Sequence, residues 1–223
     1  MLPPKSLPFI ELETAPTPDA SVILLHGGGG SGREFVSLVP DLVNTEQRVR
    51  FIFPDAPHIP FTLFGGHSMR AWFDVPHYEL ERNQDEDGIR ASEAVLVRLI
   101  EQEQSRGIPC SRILIGGFSL GGSIALHTGL RYRQPLAGIM ALSAYLPLAH
   151  LLDRESSACS RDTPIFIAHG LDDALVSIDL VEKGMDTLRD LGYRIDRHIF
   201  PMRHTVCSEE IFLIKEWIGK MLK

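Results

Sequence analysis

Hydrophobic residues occur along the chain in two alternating patterns. Short runs rich in β-branched residues predict strands, and longer segments with apolar residues three or four positions apart predict helices. Several runs are apolar at consecutive positions, as in parallel strands buried on both faces. The alternation predicts an α/β fold, with a mostly parallel central sheet and helices on both faces. The predicted strands are Phe9–Thr14, Val22–His26, Val49–Pro54, Arg112–Phe118, Leu136–Ser143, Ile165–His169 and Arg194–Phe200.

Five segments have the helical period. The last of them carries Ile211, Ile214, Ile218 and Leu222 at spacings of three and four, which predicts an apolar stripe that packs on the sheet. The predicted helices are Glu34–Val43, Gly88–Ser105, Ser123–Tyr132, Ile178–Leu191 and Glu209–Leu222.

The stretch Asp55–Glu86 follows neither period, and we predict a long loop there. It contains prolines, glycines and five aromatic residues. Loops of this length in a compact protein are usually functional or disordered, and the aromatic content favours function. The chain has 223 residues and no internal repeat, which predicts one domain over residues 1–223 without a separate cap domain.

Composition narrows the classes of function. Lys and Arg number 22 against 29 Asp and Glu, giving a formal net charge of −7, and this balance disfavours nucleic-acid binding. No segment approaches the ~20 apolar residues of a membrane helix, and the first residues lack the pattern of a secretory signal, so we expect a cytoplasmic protein. Cys110, Cys159 and Cys207 have no CxxC spacing, which predicts free thiols and no metal site.

The segment Gly116–Gly122 contains the pattern G-x-S-x-G between a predicted strand and a predicted helix. Such a turn exposes the serine hydroxyl, here that of Ser119, because the flanking glycines let strand and helix approach closely. The backbone N–H of Leu120 is then available to an oxyanion. This context favours a nucleophilic serine over a simple glycine-rich turn.

A nucleophilic serine needs a histidine base and an acid that orients the base. His204 follows the strand Arg194–Phe200, at the edge where open α/β sheets place their sites. Asp172 and Asp173 both follow the strand Ile165–His169. Spacing alone leaves the choice between them open, and we expect the other to be a turn or cap residue.

The segment His26–Gly32 is a second glycine-rich loop after a central strand. It is similar to the H-G-G-G loop of esterases, whose backbone N–H groups hold an oxyanion. A phosphate-binding loop is the alternative, but no G-K-[S/T] follows.

Taken together, these motifs resemble the phospholipase/carboxylesterase family of small α/β-hydrolases, which includes the acyl-protein thioesterases. The resemblance runs from about Ser21 to Leu222. Besides Gly116–Gly122, it rests on Leu25-His26-Gly27, Trp72-Phe73-Asp74, His169-Gly170-x-x-Asp173-x-x-Val176 and Met202-x-His204 ahead of Glu209-Glu210.

The resemblance implies roles for individual residues. Ser119 would be the nucleophile, His204 the base and Asp173 the acid. The N–H groups of Gly28 and Leu120 would form the oxyanion hole, although the family commonly has Gln at position 120. Substrate contacts are expected from Leu175 in the acyl site, from Leu63 in a segment that covers the substrate, and from Trp72, for which anchoring of its own loop is the alternative.

The sequence therefore predicts a serine carboxylesterase without metal or organic cofactor. Its substrates would be small-molecule or lipid acyl esters, thioesters, lysophospholipids or acylated proteins, bound in a shallow cleft under the Asp55–Glu86 loop, with short or medium acyl chains as the default. A homodimer is compatible with the resemblance. A dienelactone-hydrolase-like enzyme would have Cys in place of Ser119, and a non-catalytic binding protein of this fold would typically lack one of the three catalytic residues.

Overall fold

The central feature of the fold is a seven-stranded sheet. The structure is a computed structural model and describes residues 7–223. The strand order is β1-β3-β2-β6-β7-β8-β9, and all neighbouring strands are parallel except the antiparallel pair β1 and β3. The strands of this sheet are β1 (Phe9–Glu13), β2 (Ala20–Leu25), β3 (Val49–Pro54), β6 (Ile113–Phe118), β7 (Gly138–Leu142), β8 (Ile165–Gly170) and β9 (Ile195–Phe200); β4 (His58–Phe61) and β5 (His67–Arg70) form a separate hairpin.

Helices cover both faces of this sheet. The helices are α1 (Arg33–Val36), α2 (Val39–Leu42), α3 (Glu86–Ser105), α4 (Leu120–Arg131), α5 (Leu152–Glu155), α6 (Ile178–Asp190) and α7 (Ser208–Met221). Buried residues of α3, α4, α5 and α6 belong to the core on one face, and those of α1, α2 and α7 to the core on the other. The predicted α/β class is confirmed.

Strand β2 illustrates why the sheet needs two layers. All six of its residues are buried. Ile23 and Leu25 join one core, whereas Val22 and Leu24 join the other, because successive side chains of a strand point to opposite faces.

Two predicted elements differ in the structure. The segment Glu34–Val43 forms two single-turn helices, α1 and α2, because Pro40 has no N–H to donate and tolerates only the first turn of a helix. The stretch Asp55–Glu86 is not entirely loop, since it contains the hairpin of β4 and β5 joined by the turn Thr62–Phe64. Residues of this hairpin line part of the cavity described below.

The carboxyl ends of the parallel strands bring the candidate site residues to one edge. Gly28 follows β2, Ser119 follows β6, Asp173 follows β8 and His204 follows β9. Within residues 7–223, no helix is both long enough and apolar enough to cross a membrane.

Candidate active site

Ser119 occupies a strained turn between β6 and α4. Its backbone has φ 54° and ψ −122°, a conformation that L-residues rarely adopt. The turn needs glycine on both sides: a Cβ on Gly117 would lie 2.5 Å from the carbonyl oxygen of Leu25, and one on Gly121 would lie 2.2 Å from the same oxygen. Helix α4 therefore begins at Leu120, three residues before the predicted start, directly after the serine.

Two hydrogen bonds join Ser119, His204 and Asp173. The His204 Nε2 atom lies 2.9 Å from the Ser119 Oγ atom, and His204 Nδ1 lies 2.7 Å from Asp173 Oδ2. An ionised carboxylate only accepts, so Nδ1 carries the proton and Nε2 is free to accept from the hydroxyl. The imidazole ring also packs against Phe118, with ring centroids 4.8 Å apart. His204 can therefore accept the hydroxyl proton of Ser119 as the serine oxygen attacks a carbon centre.

The structure distinguishes the two candidate acids. The side chain of Asp173 is fully buried, and its Oδ1 atom accepts the backbone N–H groups of Leu175 and Val176 at 2.9 and 3.0 Å. These bonds leave Oδ2 for His204. Asp172 is exposed, and its backbone N–H donates to the carbonyl of Met202.

His169 lies beside this acid without competing for it. Its Nε2 atom donates to the carbonyl of Val176 at 2.8 Å, and that atom is 3.6 Å from Asp173 Oδ2. Burial lowers the pKa of His169, so the ring stays neutral near pH 7. His169 thus supports the turn that carries Asp173.

A second buried histidine supports the glycine-rich loop. His26 Nε2 accepts the N–H of Ala56 at 2.9 Å, so the proton is on Nδ1, which donates to the carbonyl of Gly27 at 2.6 Å. Burial lowers the pKa of His26 and preserves this neutral form. The loop is also held by the N–H of Gly29, which donates to Arg70 at 2.7 Å.

Trp72 belongs to the same support and does not line the cavity that contains Ser119. Its residue is 2% exposed, and its indole N–H donates to the carbonyl of His26 at 2.8 Å. The two rings pack with centroids 5.3 Å apart. The expectation that Trp72 contacts substrate is therefore corrected, because its one polar atom is directed at the backbone of the loop.

Two backbone N–H groups beside the serine have no hydrogen-bond acceptor among residues 7–223. The N–H of Leu120 is the first of α4 and has no acceptor within the helix. The N–H of Gly28 makes no backbone hydrogen bond within residues 7–223. The two residues are adjacent, since a Cβ on Gly28 would lie 3.2 Å from Leu120 Cδ1 and 3.4 Å from Met69 Cε. Such a pair of donors can hold an oxyanion.

The serine opens into a cavity of about 360 Å³. Leu63 and Leu175, the two residues for which the resemblance implies substrate contacts, both line it, and Leu175 is 67% exposed at its mouth. The hairpin of β4 and β5 supplies part of one wall. The lining consists of Gly27, Gly28, Phe61, Leu63, Phe64, Met69, Val75, Tyr78, Leu80, Phe118, Ser119, Leu120, Tyr145, Ala174, Leu175, Val176 and His204.

Sequence reasoning missed Tyr145 in this lining. The residue follows β7, which ends at the same edge of the sheet as the other strands, so its position after a strand was the available signal.

Cys207 is half-buried, and burial raises the pKa of its thiol, which does not suit a nucleophile. Within residues 7–223, no cluster of three or more His, Cys, Asp or Glu side chains could hold a metal ion.

Comparisons with known proteins identify the family and the fold. Residues 8–222 match the family described as Phospholipase/Carboxylesterase. An acyl-protein thioesterase 1 from Neurospora crassa is 38% identical over 99% of this chain and 92% of its own. The solved structure of Zea mays acyl-protein thioesterase 2 superposes with a TM-score of 0.85 at 26% identity, over 97% of this chain and 99% of its own. Arabidopsis thaliana SOBER1 superposes with a TM-score of 0.86 at 28% identity, over 92% of this chain and 99% of its own.

Proposed function

The chain belongs to the phospholipase/carboxylesterase family of α/β-hydrolases, and we propose that it hydrolyses carboxylic esters and thioesters through a covalent acyl-enzyme. One observation carries the proposal. Ser119, His204 and Asp173 are joined by hydrogen bonds of 2.9 and 2.7 Å at the wall of an apolar cavity.

In the first step, the Ser119 oxygen attacks the acyl carbonyl carbon while His204 Nε2 takes the hydroxyl proton. Asp173 keeps the imidazole oriented and stabilises its positive charge. The N–H groups of Gly28 and Leu120 donate to the oxygen of the tetrahedral intermediate. When this intermediate collapses, His204 gives its proton to the departing alcohol or thiol, and the acyl group stays on Ser119.

In the second step, water takes the place of the alcohol. His204 removes a proton from the water as the water oxygen attacks the acyl carbonyl, and the acid leaves when Ser119 recovers its proton. Together, the two steps return Ser119, His204 and Asp173 to their starting state. The reaction therefore needs no metal or organic cofactor.

The substrates we propose carry a small or medium acyl group. A cavity of about 360 Å³ is near the lower end of ligand sites, and its lining is mostly apolar. Phe64, Leu175 and Tyr78 are exposed members of the lining at its mouth, where the alcohol or thiol part of a substrate remains. This arrangement, together with the names of the relatives, supports acylated proteins as well as small esters.

The test is hydrolysis of p-nitrophenyl esters of increasing chain length, with an acyl-thioester and a lysophospholipid assayed in parallel. We expect Ser119→Ala to lower kcat about 10⁴-fold or more, and Asp173→Asn to lower it about 10³- to 10⁴-fold. Asp172→Asn is the matched control. The carboxylate of Asp172 is next to Asp173 in sequence but is exposed, so its replacement should leave kcat unchanged. A folded wild-type protein that turns over none of these substrates would refute the proposal.

A further inference from the structure

The cavity contains one buried hydroxyl that the proposed reaction does not use. Tyr145 lies three residues beyond Leu142, where β7 ends; it lines the cavity and is only 3% exposed. The other polar side chains of the lining are accounted for. Ser119 and His204 are bonded to each other, and Tyr78 is 83% exposed.

The Tyr145 hydroxyl has no hydrogen-bond partner in the part of the chain that the structure describes, whereas the hydroxyls of Tyr132 and Tyr193 each meet another side chain. Burial raises the pKa of Tyr145, so the hydroxyl keeps its proton and can donate. The oxygen is not sealed from solvent, unlike the unpartnered hydroxyls of Ser123 and Thr128. Tyr145 lines the cavity that contains Ser119.

The acyl chain is the part of the substrate that reaches this hydroxyl. Phe64, Tyr78 and Leu175 are the exposed large side chains of the lining, and they mark the mouth. The alcohol or thiol part, when it is a protein, is too large for a cavity of about 360 Å³ and stays outside. A buried lining residue such as Tyr145 therefore contacts the acyl chain.

We propose that Tyr145 is a specificity-determining residue whose hydroxyl donates a hydrogen bond to an oxygen atom carried by the acyl chain. The enzyme would then prefer hydroxy-acyl or oxo-acyl groups to hydrocarbon chains of the same length. This inference rests on the proposed function and names its acyl class.

The physical reason is the cost of an unpaired polar group. A hydrocarbon chain that fills the cavity displaces the water that solvates the hydroxyl and offers no acceptor in return. An oxygen atom on the acyl chain accepts a hydrogen bond from the Tyr145 hydroxyl in place of the displaced water. Sites built around a hydrogen bond discriminate more strongly than apolar pockets that sense one methylene group.

The experiment compares p-nitrophenyl esters in pairs of equal chain length, one plain and one with a hydroxyl or keto oxygen at successive positions. kcat and KM are measured for wild type and Tyr145→Phe, which removes the oxygen and keeps the ring. For each ester, the kcat/KM of Tyr145→Phe is divided by that of wild type, and this ratio cancels the ester's own reactivity. We expect Tyr145→Phe to lower kcat/KM about tenfold for the ester with oxygen at the matching position and to leave or raise it for the plain ester.

Tyr78→Phe is the matched control, because its exposed hydroxyl lies at the same cavity and should leave the preference unchanged. Thermal melting checks that both variants fold. If Tyr145→Phe lowers kcat/KM for none of the oxygenated esters, the inference is wrong. An equal fall in kcat on plain and oxygenated esters would also overturn it, because the hydroxyl would then act at the reacting carbonyl.

The two proposals fail in different ways. Turnover that depends on Ser119 but shows no response to Tyr145→Phe contradicts only the inference about Tyr145. If wild type turns over no ester, the proposed function fails, and calorimetry with the plain and oxygenated carboxylic acids tests Tyr145 instead. Equal affinities of wild type and Tyr145→Phe for the oxygenated acids would overturn the inference in that case.

Discussion

Glu210 is a carboxylic acid enclosed in the first turn of α7, and we expect Glu210→Gln to stabilise the protein at alkaline pH. The residue is 0% exposed, and neither side-chain oxygen has a hydrogen-bond partner within residues 7–223. Burial disfavours the charged form and raises the pKa of Glu210 from 4.5 to about 7, although the nearby N–H of Cys207 acts in the opposite direction.

The sign and size of the effect follow from proton binding. An acid whose pKa is higher in the folded protein than in the unfolded chain holds its proton more tightly when folded. Its contribution to stability is therefore complete below pH 4.5 and is lost as the pH rises through about 7. The difference between these two values corresponds to about 3 kcal/mol in the free energy of unfolding. Gln has a similar shape and cannot ionise, so this loss should disappear.

The assay is urea unfolding of wild type, Glu210→Gln and Glu209→Gln between pH 4.5 and 8.5. The stability of Glu210→Gln relative to wild type should increase by about 3 kcal/mol across this range. Glu209 is exposed in the same helical turn, so Glu209→Gln should follow wild type at every pH. A constant difference between wild type and Glu210→Gln would refute the reasoning, because it would mean that Glu210 titrates alike in both states.

Three further substitutions test the local packing of individual residues. Gly121→Ala should lower the free energy of unfolding by about 3 kcal/mol in chemical denaturation, because its Cβ would overlap the backbone oxygen of Leu25; a wild-type midpoint would contradict the close approach. Gly219→Ala, in α7, should instead stabilise by about 0.5–1 kcal/mol, since its nearest neighbouring atom would be 3.5 Å away; any loss in the same assay counts against it. Trp72→Phe should cost about 1–3 kcal/mol and lower kcat more than it raises KM, because the His26 carbonyl loses its donor; unchanged kcat and stability would mean that the loop is held without the indole.

Much of the fold could be predicted because its determinants are local. The consecutive apolar residues of β2 and the three-and-four spacing in α7 report directly which faces are buried. The serine turn was equally readable, since a strand, two glycines and Ser119 lie within a few residues of one another. The resemblance to the phospholipase/carboxylesterase family, carried by these motifs and others along the chain, is confirmed by the match over residues 8–222.

The missed elements had weak local signals. The strands of the hairpin, β4 and β5, have four residues each and are largely exposed, so neither gives a clear period of two. The break between α1 and α2 depends on Pro40, whose effect outweighs the apolar spacing around it.

What the chain determined by itself is therefore the alternation of strands and helices and the local geometry of the Ser119 turn. Only the tertiary structure decided which groups meet across the sheet edge. It brings Asp173 to a histidine 31 residues away, turns Trp72 toward a backbone carbonyl, and makes Tyr145 part of the cavity lining. The physical reason is that burial periodicity and backbone preference act between near neighbours in sequence. The direction of a side chain at a strand end, by contrast, depends on packing against segments that are distant along the chain.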